Sequence, residues 1–170
     1  MAARTVSAAE EPMRWHLYVV FDDLDRRLVE SDCRRLEELG LRVHPLRRSA
    51  ADDAPSTDDG IASDVVDRGV QFSQRCLIYL SKSFVQAHRL TSDVEVKAVV
   101  EKANRFDRNA VIVLEVDPAE AVKLPDDLRG FSSTLRHRPA DDGSKETAEF
   151  WNSFAADVSK GSYFHIFIFS

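Results

Sequence analysis

Three segments of this chain are almost unbroken apolar runs: HLYVVF at 16–21, CLIYLS at 76–81 and AVIVLEV at 110–116. A strand with one wet face alternates apolar and polar residues, whereas an unbroken run belongs to a strand covered on both faces. Between the runs the apolar spacing changes to that of a helix. Leu24, Leu28, Cys33, Leu36 and Leu39 recur at helical intervals, and Gly40 supplies a stop. Ile61, Val65, Val66, Val70 and Phe72 give an amphipathic helix over 61–73, and DVEVKAVVEKAN at 93–104 gives another.

Weaker signals complete the pattern. LRVHPL at 41–46 is a strand that Pro45, lacking an N–H, assigns to a sheet edge. TLRHRP at 134–139 is a short polar strand, and 117–133 is irregular with a short helix near PDDLRGF. A last amphipathic helix at 147–160 carries Phe150, Trp151, Phe154 and Val158. Strands alternating with helices predict an α/β fold with a parallel sheet shielded on both faces. Right-handed crossovers and five strands point to the flavodoxin-like order 2-1-3-4-5.

A length of 170 residues suits one domain. Residues 1–13 have no apolar stretch and read as a disordered arm, 14–161 as the domain, and 162–170 as a hydrophobic tail. The tail, YFHIFIFS at 163–170, is too short for a membrane span and is compatible with an added strand, a buried flap or the stub of something longer. Cys33 and Cys76 form neither a disulfide framework nor a zinc set, and the five histidines are scattered, so no metal site is expected. With no leader and no span, a cytoplasmic, reducing location is expected. A net charge of −6 argues against nucleic acid as a partner.

In the order 2-1-3-4-5 the first and third strands are neighbours, and ligands favour the crevice beyond the carboxyl ends of strands at such a switch point. Phe21, Asp22, Asp23 and Asp25 follow the first strand; Ser81, Ser83 and Phe84 follow the third. The serines serve equally to end the strand and turn the chain. Paired aspartates after strand one also suit a phosphoacceptor domain, but the places for its acceptor and lysine hold Leu80-Ser81 and Arg138-Pro139. GxxxxGK[ST], GxGxxG and GxSxG are all absent.

Across roughly 14–160 the chain resembles a TIR (Toll/interleukin-1 receptor) domain. YVVFDDLDRRLVE at 18–30 is similar to the family's first box. GIASDVVDRGVQFSQRCLIYLSKSFVQA at 60–87 is similar to its central helix, Ser-Gln-Arg linker, strand and turn. EFWNSF at 149–154 is similar to the third box, with its Phe150-Trp151 pair, which simple core packing also explains. The second box departs: RRSAADDAPSTDDG at 47–60 lacks Pro-Gly, and HRLTSDVE replaces the Trp-Cys that usually opens the helix after strand three.

The resemblance implies an intracellular signalling module that associates with other TIR domains, homotypically or heterotypically, and needs no cofactor. The implied partner-binding loop contains Arg47, Arg48, Asp52, Asp53, Pro55, Asp58, Asp59 and Gly60. A solvated spacer accounts for the same charge run. The alternative is the enzymatic TIR type, in which a glutamate cleaves NAD⁺ as substrate; the matching position is Glu95. Ser92-Asp93-Val94-Glu95 also reads as a capping box, in which Glu95 would only stabilise a helix start.

Overall fold

The computed structural model describes residues 14–47, 66–90, 94–105, 107–117 and 122–168. Its sheet has strands β1 (Trp15–Val20), β2 (Ser73–Leu80), β3 (Val111–Glu115) and β4 (Leu135–His137), all parallel, in the order β1-β2-β3-β4. The helices are α1 (Arg26–Glu38), α2 (described over 66–71), α3 (Lys82–Leu90), α4 (Val94–Arg105) and α5 (Lys145–Ile168). A 3₁₀ turn spans Asp23–Asp25, and a longer 3₁₀ segment spans Asp126–Thr134.

The described sheet therefore has four strands, not the five expected. Residues 41–46 lie beside β1, on the side away from β2, but pair only through a single parallel bridge, Leu17 with Val43. The position agrees with the 2-1-3-4-5 order; the ladder does not develop. Pro45 lacks a donor, and the Arg42 N–H turns to the Nδ1 of His16 (2.8 Å) instead of to a backbone carbonyl. Three further corrections concern boundaries. Ser73–Arg75, expected as a linker, forms the start of β2. α3, over a stretch expected to be a turn, is a helix of nine residues. α5 runs on through Ile168, well past its expected end at 160.

Both faces of the sheet are covered. Alternation within β1 sends Leu17, Val19 and Phe21 to one face and Tyr18 and Val20 to the other. On the first face α1 and α5 contribute Val29, Leu36, Trp151, Phe154 and Val158. On the second, Val70 of α2, Phe84 of α3 and Val96 and Val99 of α4 pack with Leu128 and Phe131. Lys102 of α4 is buried and donates from Nζ to the carbonyls of Val70 (2.7 Å) and Ser73, which fixes the junction of α2 and β2. Burial alone lowers its pKa.

The first face also contains an ion pair sealed from water. Asp32 of α1 is 0% exposed and Arg138 6%. Arg138 donates through Nε and Nη2 to the two oxygens of Asp32, both at 2.8 Å. Tyr79 near the carboxyl end of β2 donates to Asp32 (3.0 Å), and Arg138 reaches Asp141 at 2.7 Å. Burial, reinforced by the Asp32 carboxylate, pushes the Tyr79 phenol well above its ordinary range, so it stays a donor. The network ties α1, β2 and the approach to α5 together. Breaking such a pair by removing one partner strands the other charge. Asp32→Ala is therefore expected to cost about 3–5 kcal/mol in urea denaturation, and Asp32→Leu combined with Arg138→Met to recover most of that loss. A double-variant cost equal to the sum of the costs of Asp32→Leu and Arg138→Met alone would show that the pair is not coupled.

Candidate functional site

The carboxyl ends of β1 and β2 form one rim, because Val20 is in register with Ile78. Beyond β1 the chain turns at once. Asp22 accepts the N–H of Leu24 (3.1 Å), and its carbonyl accepts that of Asp25 (2.9 Å), forming the 3₁₀ turn that leads into α1. Beyond β2 the hydroxyl of Ser81 caps α3 by accepting the N–H of Phe84 (3.1 Å). The same hydroxyl donates to Asp25 at 2.5 Å, joining the two strand ends. Ser81 thus ends the strand, starts a helix and reaches across to the acidic turn. Its partner is Asp25, not Asp22. Ser83 sits half-buried in the first turn of α3.

Phe21 is buried at the rim between two guanidinium groups, with Arg26 at 5.0 Å and Arg47 at 5.4 Å from its ring centre. Arg26 donates to Asp23 (3.2 Å) and to the carbonyl of Arg47 (2.7 Å). Arg47 donates to the carbonyl of Phe21 (2.7 Å) and to Glu95 Oε1 (3.0 Å). Arg47 was expected in the partner-binding loop; here it anchors the start of that segment to the rim. Arg48, Asp52, Asp53, Pro55, Asp58, Asp59 and Gly60 lie outside the described residues.

Glu95, in the first turn of α4, is 5% exposed. Its Oε2 accepts the hydroxyl of Tyr18 at 2.6 Å, from the second face of β1. Burial raises the pKa of that phenol far above its normal value, and the Glu95 charge raises it further, so Tyr18 holds its proton. The carboxylate thus lies between a permanent hydroxyl donor and a guanidinium. Ser92, its expected capping partner, is outside the described residues. α2 closes the unit from the side: a Cβ on Gly69 would lie 2.7 Å from Tyr18 Cε2 and 2.9 Å from His44 Nε2.

Sequence reasoning missed Tyr18 and the anchoring role of Arg47. Alternation within HLYVVF would have set Tyr18 apart from Leu17 and Val19, on the face that α4 covers. The Phe150-Trp151 pair packs edge to face at 5.2 Å, with Trp151 1% exposed and in contact with Phe154. A shallow cavity of about 290 Å³ lies away from the rim, between the end of α1 and the start of α5, and is lined by Arg35, Leu39, Ala148 and Trp151.

No family model matches the chain, and no curated protein does. Among solved structures it is similar to the TIR domain of the Toll-related receptor TRR-2 from the lower metazoan Hydra magnipapillata, with a TM-score of 0.56. The match covers 85% of this chain and 98% of that one, at 15% identity. The fold is TIR-like. A likeness at this identity is one of architecture, and the side chains of the rim have to speak for themselves.

Among the described residues no group of three or more His, Cys, Asp or Glu side chains is placed to hold a metal, and no helix is long and apolar enough to cross a membrane. Both thiols are buried, Cys33 of α1 in the first-face core and Cys76 of β2 in the second, and burial pushes each up to about 12. Neither is therefore a nucleophile in the folded chain. A thiol-reactive chromogenic disulfide at about pH 8 is expected to leave the native protein unlabelled and to titrate both cysteines after denaturation. Labelling of the native chain would contradict this packing.

Proposed function

We propose that this chain is a TIR-type signalling module that works by associating with other TIR-type domains. The observation that carries the reading is the state of Glu95. A glutamate that assists cleavage of NAD⁺ must present a free carboxylate to the ribose of its substrate. In this rim both oxygens of Glu95 are engaged, one by Tyr18 and one by Arg47, and the side chain is closed off from water. That supports a tie between β1, α4 and the segment leaving Arg47, and it supports a surface that acts by contact. The TIR-like fold gives the reading its partner class.

The acidic stretch after Arg47 is the proposed contact surface, with Asp52, Asp53, Asp58 and Asp59 seeking a basic face on the partner. Association through it is expected to be fast, weak and salt-sensitive. The reading includes no cofactor and a cytoplasmic site of action.

Two assays test it. Purified protein incubated with NAD⁺ at high concentration is expected to release no nicotinamide; release that Glu95→Ala abolishes would establish the enzymatic alternative instead. Replacing Asp52, Asp53, Asp58 and Asp59 by lysine is expected to weaken self-association, or co-precipitation with a TIR-domain partner, while circular dichroism and melting stay unchanged. Undiminished binding by the folded variant would remove the loop from the proposal.

A further inference from the structure

Where the edge segment meets β1, a side chain does work that a backbone does elsewhere in the sheet. The His16 N–H donates to the carbonyl of Arg42 (2.8 Å), and the His44 N–H to that of Leu17 (2.8 Å). Between these, the Arg42 N–H donates to His16 Nδ1 (2.8 Å). Nδ1 accepts only when the ring is neutral and carries its proton on Nε2. An imidazolium has two N–H groups and no lone pair for this bond. Protonation would place two donors face to face in the middle of the only bridge that ties 41–45 to the sheet among the described residues.

We propose that residues 41–45 are an acid-loosened strap on the edge of β1, with His16 as the group that senses the proton. The second histidine belongs to the same device. His44 stands edge-on to Trp15 at 5.5 Å and tilted against Tyr18 at 5.0 Å, and its Nδ1 lies 2.9 Å from the carbonyl of Pro45. The groups that face the two rings come from three directions. Arg42 on the strap repels a proton on His16. Trp15 and Tyr18 of β1 and the backbone at Gly69 of α2 enclose His44, and Tyr18 is itself tied to Glu95 of α4.

The sign follows from those surroundings. Burial, and for His16 the Arg42 charge as well, lowers both histidines below their usual pKa; the Pro45 carbonyl opposes this in part at His44. A group whose folded pKa is lowered contributes stability that is present above its unfolded value of about 6.5 and is lost as pH falls through the folded value. The strap is therefore firm at neutral pH and loosens in the acid range. Leu41 and Val43 remain in the core, so the opening is local. Because the strap delivers Arg47 to Phe21 and Glu95, loosening is transmitted to the rim.

Hydrogen exchange on the full chain, read residue by residue by NMR as protection factors, tests this. Between about pH 7.5 and about pH 5.5 the protection of the Arg42 N–H is expected to fall about tenfold while that of Ile78 in β2 holds. His16→Asn puts an amide oxygen near the place of Nδ1 and is expected to remove most of that fall. Unchanged protection in the parent, or an equal fall in His16→Asn, overturns the proposal. If the variant does not fold, the parent's own titration decides. The His16 ring must be the Nε2–H tautomer at neutral pH, and its midpoint must coincide with the shift of the Arg42 amide. A Nδ1–H tautomer or a separate midpoint overturns the proposal equally.

Discussion

A carboxylate removed from water needs partners for both oxygens, and in this protein that requirement organises one end of the sheet. Glu95 receives the Tyr18 hydroxyl and the Arg47 guanidinium. Each partner brings a different part of the chain: Tyr18 the first strand, Arg47 the segment leaving the sheet edge, Glu95 itself the start of α4. Arg47 also holds the carbonyl of Phe21, so the turn after β1 and the exit of the edge segment are fixed by one side chain. With α2 pressed on Tyr18 through Gly69, four elements meet on a single charge.

The opposite face repeats the device more deeply. Asp32 and Arg138 are sealed beneath α1 and α5, with Tyr79 again supplying a phenolic hydroxyl from a strand. Both faces therefore use a tyrosine inside an apolar strand to reach an acidic residue on a covering helix. Buried ion pairs contribute little net stability over apolar packing, but they penalise every arrangement that leaves one member alone. In a two-faced sheet whose apolar strands would tolerate sliding, such pairs discriminate between registers that hydrophobic contact alone does not separate.

The central strands were legible because a parallel strand buried on both faces cannot afford polar residues, which makes HLYVVF, CLIYLS and AVIVLEV unmistakable. The helices over 26–38, 94–105 and the first part of 145–168 followed from their apolar spacing. The edge was less readable: 41–46 has the composition of a strand, yet Pro45 and the His16 ring leave it one bridge. α3 was missed because its cap, Ser81, follows directly on an apolar strand, where a hydroxyl reads as a turn. The rim aspartates and Ser81 were placed at the right end of the sheet by topology alone. The partner of Glu95 was hidden because a tyrosine within an apolar run looks like one more apolar residue, and because the Arg47 that completes the unit sits 48 residues away in sequence.

If Glu95 is a tie, its link to Tyr18 must carry energy that each residue lacks alone. A double-mutant cycle over Tyr18→Phe and Glu95→Gln, read from urea denaturation at neutral pH, measures that link directly. A coupling of about 1.5–3 kcal/mol, as for a buried hydrogen bond to a charged group, is the predicted result. A coupling near zero, with Glu95→Gln as stable as the parent, would mean that the carboxylate is not held in this way and would return it to the solvent side of the rim.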